Sequence, residues 1–171
     1  MPTLIGTQFT AGTSYATATN TTPVLGGGKG FTAGTRATDK DGKEYVFVQV
    51  NSAVSRYDIV GIPHDASFVA AGLSTTTAPS AQEVGVALGA MASGDYGWVQ
   101  VKGNARVNVL GSCVKNIALW TTSTAGSLDD ATASNYLVSG IQILSTNPTA
   151  SATNMEGFLN YPSILLRPGT A

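Results

Sequence analysis

Apolar and polar residues alternate with period two through much of this chain, and turn-forming residues break the alternation at intervals of roughly 8 to 12 residues. After the turn signal Asp41-Gly42, the run Tyr45-Val-Phe-Val-Gln-Val50 predicts a strand. Tyr57 to Ile62 predicts another, stopped by Pro63. Ala66 to Leu73 is a short apolar run read as a third strand, although its length alone also fits a helical turn. Ser74 to Ser80 reads as a loop. Between Glu83 and Leu110 the alternation is clearest. Val99 and Val101 share one face, Tyr96, Trp98 and Gln100 the other, and Val107 and Val109 alternate with Arg106 and Asn108. Gly103-Asn104 lies between these two runs and predicts a chain reversal, hence a β-hairpin.

Further strands are predicted over Lys115 to Thr121 and over Tyr136 to Leu144, the latter bent or bulged at Gly140. Met155 to Tyr161 with Ile164 to Leu166 closes the body, and Ser123 to Ser134 and Asn147 to Asn154 read as loops. No segment offers a helix of more than about two turns. The pattern predicts an all-β fold, a small antiparallel β-barrel or β-sandwich, with a core that includes Val46, Val48, Ile59, Val99, Val101, Leu119, Val138 and Ile143.

Residues 1–34 follow a different rule. Thr, Ala, Gly, Ser and Asn dominate there, and Gly26-Gly-Gly-Lys-Gly30 has no means of holding a fixed structure by itself. Yet large apolar residues recur: Leu4, Ile5, Phe9, Tyr15, Val24, Leu25 and Phe31. The segment reads either as a loose terminus or as an extended arm that orders on a neighbouring subunit. In the second reading Leu4, Ile5, Phe9 and Tyr15 are the partner-binding anchors, and residues 35–171 form the folded body.

Composition narrows the function. Charged residues make up 11% of the chain, against about 25% in ordinary soluble domains. A surface of hydroxyls and small groups suits a protein that works packed against others. The formal net charge is −1 and the nine Lys and Arg are scattered, which opposes nucleic-acid binding. The opening Met-Pro-Thr-Leu-Ile has neither the basic region nor the apolar stretch of a secretory signal, and no run approaches the roughly 18 apolar residues of a membrane span. Cys113 is the single cysteine, so no intrachain disulfide forms, as expected for synthesis in a reducing cytoplasm.

Candidate chemistry is sparse. Asp39-Lys-Asp-Gly-Lys-Glu44 resembles a calcium loop superficially, but the chain turns apolar after Glu44 and the alternating oxygen ligands are missing; a solvated turn accounts for it better. Gly26-Gly-Gly-Lys-Gly30 lacks the Ser or Thr that a phosphate loop carries after its lysine. His64, the only histidine, is the one plausible general base, and no second imidazole exists to complete a zinc site. The adjacent Asp129-Asp130 would not face each other across a sugar as glycosidase carboxylates do. No catalysis, cofactor, metal or small-molecule substrate is expected. Trp98 reads as a core residue, or else as part of an exposed aromatic platform.

Three segments carry a resemblance to the capsid decoration (cement) proteins of tailed bacteriophages: Asp41-Gly-Lys-Glu-Tyr-Val-Phe-Val-Gln-Val50, Gly85-Val-Ala-Leu88 and Gly94-Asp-Tyr-Gly-Trp-Val-Gln-Val-Lys-Gly103. It covers about residues 35 to 110 well and the last third loosely. The resemblance implies a β-barrel or β-sandwich, often a homotrimer, bound to the major capsid protein on the outer surface of the virion, with no catalytic residues. Two other classes are a tail- or fibre-associated module binding host glycans, which calls for exposed aromatics in a groove, and a hydrolase on a β-scaffold, which calls for His64 near a serine and a carboxylate.

Overall fold

The computed structural model describes the backbone at 14–15 and residues 31–65, 67–131 and 136–165. Leu4, Ile5 and Phe9 lie outside these. Strand makes up 49% of the described residues, with no α-helix among them, so the fold class is all-β as the periodicity predicts. The strands are β1 Ser14–Tyr15, β2 Arg36–Thr38, β3 Glu44–Val50, β4 Ile59–Ile62, β5 Val69–Gly72, β6 Glu83–Ala87, β7 Tyr96–Val109, β8 Leu119–Thr121, β9 Leu128–Asp129, β10 Leu137–Ile143 and β11 Thr153–Leu165.

Asp41-Gly42 does turn the chain from β2 into β3: Gly42 has φ +76, and Asp39 accepts the Gly42 N–H at 3.2 Å. From β3 the pairing passes to β7, β6, β4 and β5, and the short parallel β5–β3 contact brings it back to β3, closing a five-stranded barrel. Alternate residues point inward, so Val46, Val48, Val50, Val60, Ile62, Val99 and Val101 fill the barrel. Each such side chain contributes about 1.5–3 kcal/mol by leaving water.

β4 and β6 are buried at every position. One face of each looks into the barrel, and the other carries Ile59, Val84 and Val86 into a second core with Val107, Leu119, Leu128, Val138, Ile143 and Leu159. That second layer hangs on the far half of β7. There the pairing runs from β7 to β11, β10, β8 and β9 and returns to β7 at Val109↔Leu128, a second closed path sharing one long strand with the barrel. All eight core residues named from the sequence are buried.

The predicted reversal at Gly103-Asn104 does not occur. β7 continues through it from Tyr96 to Val109. Only Gly103 has a positive φ, +92, where a two-residue type I′ turn needs both central residues there. Opposite this point the β3–β7 register slips, Glu44 facing Lys102 and Tyr45 facing Gln100, so a bulge bends β7 out of the barrel wall. The partner that the second half needs is β11, which pairs with it from Val109↔Thr153 to Lys102↔Asn160.

The other boundaries move less. Ala66 to Leu73 contains strand β5, not a helical turn. β9 lies inside the stretch read as the polar loop Ser123 to Ser134, held by single partners on either side. Gly140 is a bulge, as predicted: φ is +77 and the β10–β11 register shifts between Ser139 and Ile141. β11 runs unbroken through Pro162, which lies opposite that irregularity, where its missing N–H costs no ladder bond.

Candidate functional site

The one histidine is accounted for by a buried carboxylate. Glu83, first residue of β6, is 5% exposed, and both its oxygens accept from the Arg36 guanidinium, at 3.1 and 2.7 Å. His64 Nε2 lies 3.0 Å from Glu83 Oε2, and the His64 backbone N–H donates to Gln82 Oε1. A buried charge is tolerable only when paired, so the trio fastens the edge strand β2 and the turn after β4 onto β6. A hydrolase would need a nucleophile at the imidazole. Among the described residues the hydrogen-bond partners of His64 are Glu83 and Gln82.

Asp129 and Asp130, adjacent in sequence, converge after all. Their carboxylates and the Cys113 thiol offer three ligand atoms within 4.8 Å of one another. The local bonds are already made: Asp130 Oδ2 accepts the Val114 N–H and Asp129 Oδ1 the Asp130 N–H, both at 2.9 Å. Burial, with the two nearby carboxylates, pushes the Cys113 thiol up to about 11, and burial raises Asp129. A thiol held protonated at neutral pH is a poor nucleophile. Asp39, in the turn read as a false calcium loop, gives Oδ1 to the Asp41 and Lys43 N–H groups and Oδ2 to the Tyr45 hydroxyl. Its oxygens serve the turn itself.

The outer face of β3 and β7 is unusual for a barrel exterior. It carries Tyr45, Phe47 and Trp98, exposed by only 4%, 1% and 1%. Trp98 is thus a core residue, whereas Trp120 on β8 is half-buried. Phe31 packs on this face, edge-on to Trp98 at 5.0 Å and tilted against Phe47 at 5.7 Å; Tyr96 stacks on Phe47 at 5.9 Å. Beside it β1 pairs antiparallel with β7, Ser14 opposite Gly97 and Tyr15 opposite Tyr96. Of the four anchors named from the sequence, Tyr15 is therefore placed, by its backbone, on β7 of its own chain. The sequence reading missed the aromatic face of β3 and β7 on which Phe31 packs. The signal was there in the spacing of Tyr45 with Phe47 and of Tyr96 with Trp98, each pair two residues apart.

An open groove of about 370 Å³ runs where β7 leaves the barrel, lined by Tyr57, Leu88, Asn104, Arg106, Leu144 and Glu156 among others. Nearby, Lys102 Nζ lies 2.8 Å from Glu44 Oε1, which also accepts from the Tyr161 hydroxyl at 2.6 Å, tying β11 to the barrel. No helix among the described residues is long and apolar enough to cross a membrane. No protein-family model matches this chain, and no curated protein matches it.

Proposed function

We propose that this chain is a structural virion protein that binds the outer surface of a phage capsid and stabilises the shell by bridging major capsid protein subunits, working as a homotrimer without catalysis, cofactor or nucleic acid. The observation that carries the reading is where the resembling segments lie. Asp41 to Val50 forms the turn into β3, and Gly94 to Gly103 forms the first half of β7; the two pair side by side in the barrel wall, Tyr45 opposite Gln100 and Phe47 opposite Trp98. Segments that resemble one family and build one contiguous wall are a stronger pointer than scattered matches. The charged groups supply further support: His64, Glu83, Asp39 and Glu44 are each engaged in holding strands or turns together. Many copies on a shell make modest contacts strong through multivalency.

The test is sedimentation of purified protein with phage heads that lack it. Co-sedimentation at a fixed number of copies per shell, with heads that withstand more heat, is the expected result. Heads that bind none of it under any condition overturn the reading. The groove beside Tyr57, with amide and charged side chains along it, favours glycan binding as a second reading. Saturable binding of a saccharide that is lost in Tyr57→Ala would support that reading against the first.

A further inference from the structure

We propose that the outer face of β7, β11 and β10 binds a neutral saccharide, with Phe158 stacked under a sugar ring and the amides of Asn104 and Gln142 holding its hydroxyls from either side. The inference deepens the glycan reading above, and rests on it, by naming the ring, the flanking groups and the class of sugar.

The strand register builds the site. On β11, Phe158 lies opposite Asn104 of β7 on one side and Gln142 of β10 on the other. Residues paired across a sheet share a face. The aromatic ring therefore stands in a row between two amides, a row spanning about 10 Å at the ordinary strand spacing of ~4.8 Å. It faces solvent: Asn104 and Gln142 are exposed, and Phe158 is 44% exposed. Two positions along β11, about 7 Å away, Glu156 lies opposite Arg106, and its carbonyl accepts the Leu144 N–H. Asn104, Arg106, Leu144 and Glu156 also line the groove of about 370 Å³. Phe158 thus stands at the rim of that groove, opposite one lining residue and two positions from another.

The polar groups of this face hold nothing together. Among the described residues the side chains of Asn104, Gln142 and Glu156 make no hydrogen bond or ion pair, and Arg106 makes one long bond, 3.4 Å to the Asn154 carbonyl. His64, Glu83, Asp39 and Glu44, by contrast, are each engaged in the fold.

A pyranose carries the complementary pattern, a face of C–H groups with a rim of hydroxyls that both donate and accept. The electron-rich face of a phenyl ring attracts the C–H groups. An amide offers donors and an acceptor together, so it can meet a hydroxyl in either role. The charges select within the class. Arg106 and Glu156 oppose each other on neighbouring strands, so their fields largely cancel over the ring and favour an uncharged sugar over a uronate. A protein partner would call for a wider apolar centre than a single ring between amides.

The test is titration with neutral trisaccharides of glucose, galactose and N-acetylglucosamine, and with a trigalacturonate, followed by the side-chain amide NMR signals. At least one neutral trisaccharide should shift the Asn104 and Gln142 signals saturably. Raising salt from ~50 mM to ~500 mM should change its affinity less than about two-fold, because no ion pair forms with it. Phe158→Ala should weaken the binding about ten-fold or more, as truncating an aromatic anchor does, whereas Phe158→Trp, which keeps a flat ring, should retain it. Both variants change an exposed position, and a melting curve matching the parent's confirms an intact sheet. Saccharide binding that survives Phe158→Ala unchanged would overturn this placement and leave the glycan reading to the Tyr57 side of the groove. Binding of the trigalacturonate in preference to every neutral sugar would overturn the class of ligand. If none of these sugars binds, the glycan reading and this inference fall together.

Discussion

At the scale of single residues, the aromatic face makes the sharpest claim. Trp98→Ala removes a ring that is 1% exposed and packs against Phe31 and Phe47, and it should cost about 3–5 kcal/mol in chemical denaturation. Trp98→Phe, which keeps most of the contact, should cost much less. Cys113 gives a prediction on the alkaline side. Its thiol ionises at an ordinary 9.0 in the unfolded chain but only near 11 in the fold, so the unfolded state loses its proton first and stability falls as pH rises beyond 9. Cys113→Ala should flatten that alkaline limb in urea titrations. Glu44 works in the opposite direction. The Lys102 ammonium and the Tyr161 hydroxyl hold its carboxyl below the ordinary 4.5, so its stabilisation is present above that value and disappears as pH drops through the lowered one. Glu44→Gln should therefore shed part of the acid sensitivity of melting, while Asp58, raised by burial, pulls weakly the other way in both proteins. Most of these residue-level roles were illegible in the sequence. Nothing around Cys113 in the chain announces that Asp129 and Asp130 will sit beside it, because the three meet only when β9 docks.

At the scale of elements, the strands were readable and their partners were not. Alternation marked β7, and apolar strand-forming runs bounded by turn residues marked β3, β4 and β10. The mistaken reversal at Gly103 came from the same logic: a glycine between two alternating runs serves a bend as well as a turn. Which one forms depends on whether β3 or β11 lies opposite, and those strands are far away in sequence. Two glycines separate backbone strain from crowding. Gly42 and Gly140 have nearly equal φ, +76 and +77, but a Cβ at Gly42 meets nothing within 4 Å, whereas at Gly140 it would stand 2.7 Å from the Asn160 carbonyl oxygen. Gly42→Ala should cost roughly 1–2 kcal/mol for the left-handed backbone. Gly140→Ala should cost clearly more, and thermal melts of the two variants measure the difference directly.

At the scale of the whole molecule, the N-terminal segment changes the expected outcome of truncation. From composition alone, residues 1–34 could be removed without touching the body. Phe31 against Trp98 and β1 against β7 argue otherwise. A chain starting at Gly34 should melt lower and show red-shifted tryptophan emission, because Trp98 loses cover; an unchanged emission maximum would mean that the segment contributes nothing to this face. If the truncated chain stays folded, its binding to undecorated heads should also fall sharply. Sedimentation of the full chain tests the trimer, and a single-chain mass in solution together with normal binding to heads would place assembly on the shell.

The sequence by itself determined the class of this fold and the residues of its core, because period-two alternation, turn chemistry and the scarcity of charge are local properties that any all-β arrangement must obey. It also limited the chemistry, since one histidine and one cysteine leave few reactive constellations to build. Only the tertiary structure decided that β7 serves two closed layers, that Glu83 gathers Arg36 and His64, and that the aromatic residues of β3 and β7 point outward to receive Phe31. These depend on which distant strand lies beside which. Pairing between strands is set by the total burial of both cores at once, and no short window of the chain contains that sum.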